Sequence, residues 1–144
     1  EMGITAVIAA GDTWENATII ENAGADAEGT VFSTFYDEAA PANDEAAAFV
    51  DGFKAYLTGI GESDIIPAVS ALGYDAYITA VQAIKDADSV DPAAIKDALK
   101  NVHVEGVTGD ITFDENGDAN KDMAYIKTIK DGQIVFLTTT SIDE

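Results

Sequence analysis

The sequence predicts an α/β chain, with a mostly parallel sheet covered by helices on both faces and a β-hairpin closing its C-terminal end. Three observations carry this. Ile4–Ala10 is an unbroken apolar run of strand length, which suits a parallel strand buried on both sides. Phe49, Val50, Phe53, Tyr56, Leu57 and Ile60 recur at helical spacing and form one apolar face. Asp131-Gly132 separates two β-rich runs, a strong hairpin signal.

Each element follows from local chemistry. Glu1-Met2-Gly3 reads as the end of a helix whose body is missing, with Gly3 at its C-cap, so the N-terminus is expected to be truncated. After the Ile4–Ala10 run, Gly11-Asp12-Thr13-Trp14 forms a turn at the strand's carboxyl end. Residues 15–23 suit a short helix, capped by Thr13 and stopped by Gly24. Residues 30–36 are β-branched and aromatic and read as a strand.

The next helix starts at a cap on Asn43 or Asp44 and ends at Gly59 or Gly61. A longer helix opens near Pro67 and runs to about Ala87. Its apolar positions occupy two faces, Val69, Leu72, Ala76, Ala80 and Ile84 on one and Tyr74, Ile78 and Val81 on another, which predicts burial between layers. Asp91-Pro92 caps and opens a third helix, with Ile95, Ala98, Leu99 and Val102 inward. The tail turns to strands at 111–113, 124–129 and 133–138.

Composition excludes several functions. The 144 residues carry 27 acidic and 7 basic side chains, a net charge of −20, and every basic residue is lysine. No basic stripe exists to replace counterions on phosphate, so nucleic acid is not an expected partner. Anionic lipid is disfavoured for the same reason. The acidity suits a solvated surface, or attraction of cationic ligands. No cysteine is present, so disulfides and thiolate sites are ruled out. No apolar run approaches the roughly 20 residues of a membrane helix, and no signal peptide is visible.

No catalytic constellation stands out. His103 follows a helix without an evident orienting partner, and a base must be positioned as well as present. No serine sits in a nucleophile elbow, and no phosphate-binding glycine loop occurs. Residues 114–118 (Asp-Glu-Asn-Gly-Asp) look like a calcium loop, but positions 6 and 12 of that pattern hold Ala119 and Tyr125. A polar turn with Gly117 at positive φ is the expectation there, and no metal or cofactor is expected. Asn16-Ala17-Thr18 is a glycosylation sequon, itself a weak pattern.

Gly11-Asp12-Thr13-Trp14 is the informative site. Ligands of open α/β sheets bind beyond the carboxyl ends of strands. Asp12 stands there, able to pair with an ammonium while Trp14 supplies an apolar or cation–π wall. Asp12 could instead cap the following helix, and spacing alone does not decide.

The stretch 71–76 (Ala-Leu-Gly-Tyr-Asp-Ala), the Asp91–Leu99 helix and the stretch 106–118 (Gly-Val-Thr-Gly-Asp-Ile-Thr-Phe-Asp-Glu-Asn-Gly-Asp) occur in the order seen late in leucine/isoleucine/valine-binding receptors. Gly11-Asp12-x-Trp14 and residues 24–29 match the family's preceding segment. The chain thus resembles the C-terminal portion of branched-chain amino-acid substrate-binding proteins of ABC transporters, in the periplasmic binding protein type I family.

The resemblance implies two Rossmann-like lobes closing on a small amino acid around a hinge crossed three times. It implies residues 1–40 as the end of one lobe, 41–120 as the last part of the other, and 121–144 as a closing hairpin returning to the first. It gives Asp12 the ligand ammonium, with Trp14 and Tyr74 lining the pocket and Thr13 as a further contact; core statistics alone make Tyr74 equally suited to packing. An ABC permease is the implied partner, the compartment is extracytoplasmic, and no bond chemistry is implied. A sensory receptor domain on the same fold, or an enzyme using a carboxylate pair, are the alternatives. The chain is shorter than a complete receptor, so exposed sheet edges favour self-association or strand exchange.

Overall fold

The computed structural model describes residues 4–41, 43–121 and 123–141. The cap expected at Gly3 lies outside these residues. The described chain contains four α-helices and six strands: β1 (Ala9–Ala10), α1 (Ala17–Ala23), β2 (Val31–Thr34), α2 (Asp44–Ile60), α3 (Ala68–Ala87), α4 (Pro92–Leu99), β3 (Val104–Gly106), β4 (Gly109–Ile111), β5 (Met123–Lys130) and β6 (Gln133–Ser141). Among the described residues no helix is long and apolar enough to cross a membrane.

The chain forms two compact units. One comprises Glu1–Asp37, Pro67–Val69 and Asp122–Glu144; the other comprises Glu38–Ile66 and Ser70–Lys121.

The first unit is built on a four-stranded sheet in the order β1-β2-β5-β6. It is mixed: β1 and β2 are parallel, whereas β2/β5 and β5/β6 are antiparallel. The antiparallel half comes from the hairpin expected at Asp131-Gly132. Both residues have positive φ, 53° and 70°, as a tight two-residue turn between twisted strands requires. Glu28 secures this turn by accepting from the Asp131 and Gly132 N–H groups at 2.9 and 2.6 Å. Ala27, Phe32 and Ile129 form the core, with Ala10, Trp14, Ile19, Ile20 and Ile134 packed against it.

The expected Ile4–Ala10 strand is corrected. Only Ala9 and Ala10 pair, with Val31 and Phe32. Ile4, Val7 and Ile8 are exposed by 66, 73 and 45%, because β1 is the edge of the sheet and meets only the start of β2. The first helix is also shorter than expected. Asn16, not Thr13, is its N-cap and accepts from the Thr18 N–H at 2.9 Å.

The second unit packs α2, most of α3, α4 and the β3–β4 hairpin. Asn43 caps α2 by accepting from Ala46 N–H at 2.7 Å, and its side-chain amide donates to the Gly106 carbonyl at 3.1 Å. Gly61 ends α2 in the left-handed conformation. Asp91 caps α4 through the N–H groups of Ala93 and Ala94, both at 3.1 Å, with Pro92 at the first turn.

Helix α3 departs from the expected burial. Its buried stripe is Ala71, Asp75, Thr79 and Ala83, the row between the two apolar faces read from the sequence. Val69, Tyr77 and Ile84 are exposed. Small side chains let a neighbouring element approach the helix closely, whereas the bulkier rows flank that contact.

Asp75 explains why the Gly-Tyr-Asp-Ala and Gly-Val-Thr-Gly stretches occur together. Its buried carboxylate accepts from the Val107 and Thr108 N–H groups at 2.7 and 2.9 Å and from the Thr108 hydroxyl at 2.6 Å. Lys121 donates to the Thr108 carbonyl and hydroxyl at 3.0 and 2.8 Å. A Cβ on Gly106 would lie 2.7 Å from the Asp75 carboxylate atoms, so glycine is required for this approach.

Candidate functional site

The turn after β1 is a single turn of 3₁₀ helix, Asp12–Trp14, at the strand's carboxyl end. It closes through Trp14 N–H to the Gly11 carbonyl (3.1 Å), Glu15 N–H to the Asp12 carbonyl (3.0 Å) and Asn16 N–H to the Trp14 carbonyl (2.8 Å). Helix α1 takes its cap from Asn16, which removes the capping role open to Asp12. Among the described residues the half-buried Asp12 carboxylate makes no hydrogen bond or ion pair. Thr13 is exposed. Trp14 is half-buried, with its ring packed against the Ala27–Phe32–Ile129 core. These three residues therefore share one compact turn of the first unit.

Tyr74 belongs to the second unit, on α3. It is half-buried, its ring tilted against Phe49 at a centroid distance of 4.9 Å. Its phenol donates to Glu45 at 3.4 Å. Burial holds its pKa above the usual value, and the Glu45 charge adds to this. Packing thus accounts for part of what Tyr74 does.

Glu15, directly after the turn, is 5% exposed, whereas the sequence suggests only the first residue of a short helix there. One carboxylate oxygen pairs with Lys127. The other accepts from the Thr34 hydroxyl at 3.1 Å and from the Ala68 N–H, in the first turn of α3, at 3.0 Å. Lys127 also lies 3.2 Å from Asp37, and all three charged side chains are at most 7% exposed. Carboxylate at a helix N-terminus is favoured by the orphan N–H groups there. A signal for Lys127 was present: it falls between Tyr125 and Ile129 on the inward face of β5, where the alternation calls for an apolar residue.

The remaining candidates resolve as structural. Asp114 accepts from the Asn116 and Asp118 N–H groups at 2.8 and 2.9 Å, and Gly117 has φ +89°. The Asp118 N–H foremost, then Asn116 and Gly117, hold the Asp114 carboxyl below the usual range. Among the described residues no cluster of metal-ligating side chains occurs. His103 is exposed, 3.6 Å from the exposed Asp110, too far for a hydrogen bond. The second unit also holds an apolar cavity of about 350 Å³ whose lining includes Leu72, Ala76, Ile95, Leu99 and Ile111. Thr79, whose buried hydroxyl has no partner among the described residues, lines it too. Tyr74 does not line this cavity.

The sequence profile of a family described as periplasmic binding protein matches residues 1–133. A leucine binding protein, LivK, from Thermotoga maritima is 35% identical over 99% of this chain, with a TM-score of 0.83. An ABC transporter substrate-binding protein from Desulfitobacterium hafniense, solved in complex with Leu, is 29% identical over 94% of the chain, with a TM-score of 0.72. A Brucella ovis protein that binds leucine, isoleucine, valine, threonine and alanine shares the fold at 22% identity, with a TM-score of 0.72 over 99% of the chain. This chain spans 39, 36 and 38% of the length of those three proteins, respectively. The α/β architecture is that of type I periplasmic binding proteins, and the chain belongs to the periplasmic binding protein family.

Proposed function

We propose that this sequence forms part of an extracytoplasmic solute-binding receptor that captures a small branched-chain amino acid and delivers it to an ABC permease. The observation that carries this reading is the Asp12 carboxylate. It stands at the carboxyl end of a strand, half-buried and without a protein partner among the described residues, close to Trp14, which packs on the core, and Glu15, which is bonded at both oxygens. A carboxylate left uncommitted in such a position favours a cationic group, and the α-ammonium of an amino acid fits. Family membership and the leucine-binding relatives support the substrate class.

Asp12 takes the ammonium in this reading. Trp14 supplies apolar wall, and Thr13 and Tyr74 are further ligand contacts. Residues 1–40 and 121–144 are proposed as parts of one ligand-binding lobe and 41–120 as part of the other. Further chain, of the length seen in the relatives, supplies the contacts to the ligand carboxylate. No step of bond chemistry is involved. Self-association through β6 is part of the proposal, since this nine-residue edge strand exposes Val135, Phe136 and Leu137.

Calorimetry of leucine, isoleucine, valine and alanine against the receptor polypeptide carrying this sequence tests the reading. Binding of the branched-chain ligands, abolished by Asp12→Ala, is expected. Binding that survives Asp12→Ala unchanged removes Asp12 from the site.

A further inference from the structure

The Glu15–Lys127–Asp37 cluster is more than a core ion pair, because of where it lies in the chain. Glu15 is the residue onto which the Asp12 turn closes: its N–H donates to the Asp12 carbonyl at 3.0 Å. Its side chain is meanwhile fixed at both oxygens. Lys127 holds one, and the Thr34 hydroxyl and Ala68 N–H hold the other at 3.1 and 3.0 Å. The partners come from all three chain segments of the first unit: Thr34 and Asp37 from Glu1–Asp37, Ala68 from Pro67–Val69 and Lys127 from Asp122–Glu144. On the other side of the turn, Trp14 is packed into the unit's core. Among the described residues the Asp12 carboxylate is therefore left uncommitted while Trp14 and Glu15, which end and follow its turn, are held.

We propose that Glu15, held by Lys127, Thr34 and Ala68, is a positioning residue that sets the Asp12 turn for its ligand. This rests on the reading of Asp12 as the ammonium site. A carboxylate that must meet one ammonium gains affinity by being held in place before binding, since less ordering remains to oppose association. Burial of the cluster makes the hold stiff: a buried, hydrogen-bonded charge pair tolerates little displacement, because a group that shifts away leaves the other charge unpaired. A sheet irregularity lies beside the lysine. The β5/β6 register shifts between Ile126 and Lys127, with Leu137 of β6 as the extra residue opposite them.

Two variants test this, Glu15→Gln and the milder, isosteric Thr34→Val, which removes one donor while keeping the charges. Amide spectra of the 144-residue chain report the turn directly. Both variants are expected to shift the Gly11–Trp14 resonances, Glu15→Gln more, with the spectrum otherwise dispersed as in a folded protein. In the receptor polypeptide, Glu15→Gln is expected to weaken leucine binding roughly tenfold or more. Asp91→Ala, which removes the α4 cap, is expected to lower stability without changing affinity. The positioning role is overturned if folded Thr34→Val and Glu15→Gln chains leave the turn resonances unmoved, or if Glu15→Gln changes affinity no more than Asp91→Ala. Failure of the ammonium reading is a different result: unchanged affinity in Asp12→Ala alone.

Discussion

Replacing Lys127 by methionine isolates the energetic role of the buried charges. The substitution preserves length and shape but removes the ammonium that pairs with Glu15 and lies 3.2 Å from Asp37. Both carboxylates are nearly inaccessible to water, with side chains 3 and 7% exposed. The Thr34 and Ala68 donors remain on Glu15, but they satisfy one oxygen only. Breaking a buried pair in this way costs about 3–5 kcal/mol. A domain of this size is stable by roughly 5–15 kcal/mol in all, so the loss is a large share of the total. The triple variant Glu15→Gln, Asp37→Asn, Lys127→Met keeps polar atoms in place with no charge, and is expected to recover all but about 1–2 kcal/mol. Urea unfolding followed by circular dichroism at pH 7 measures both. A Lys127→Met loss below about 1 kcal/mol, or a triple variant less stable than the single one, refutes the view that charge pairing holds this cluster together.

Two glycines give opposite outcomes for one substitution. Gly106→Ala drives a Cβ to 2.7 Å from the Asp75 carboxylate and is expected to cost about 2–4 kcal/mol. Gly73→Ala, in α3 with open space around its Cβ, is expected to stabilise by about 0.5–1 kcal/mol in the same urea assay. The lowered Asp114 carboxyl pKa means that its contribution to stability is present above the ordinary aspartate range and is lost as pH falls through the folded-state value; Asp114→Ala is expected to flatten that acid-side change in thermal melts. The Tyr74 phenol titrates above its ordinary value, so its protonated form stabilises the fold below the unfolded-state pKa, and this is lost as pH rises through the folded-state value. Glu45→Gln is expected to move the titration, read by ultraviolet absorbance, back toward normal.

Patterns carried within one element were legible in the sequence. The α2 helix, the Asp91-Pro92 start of α4 and the Asp131-Gly132 hairpin follow from local periodicity and turn chemistry, and each is present, although of the expected α2 face Tyr56 and Ile60 are exposed. What depended on neighbours was less legible. Ile4–Ala10 has the composition of a buried strand, but burial requires a partner on each side, and β1 meets only the start of β2. In α3 the bulky apolar rows drew attention, whereas the contact runs along Ala71, Asp75, Thr79 and Ala83, a row whose meaning appears only once Asp75 meets the turn after β3. At the candidate site, Asp12 and Trp14 were visible from their place after a strand, but whether Asp12 capped a helix could not be read from spacing. Asn16 settles that question by taking the cap itself. Glu15 was invisible because its partners, Thr34, Ala68 and Lys127, lie 19, 53 and 112 residues away.

The pairing of Asp12 with a ligand ammonium is tested most directly by comparing leucine with 4-methylpentanoate, the same molecule without its amino group. Calorimetry on the receptor polypeptide carrying this sequence is expected to show the wild type preferring leucine by roughly a hundredfold or more, and Asp12→Asn erasing most of that preference. A preference for leucine that persists undiminished in Asp12→Asn contradicts the account.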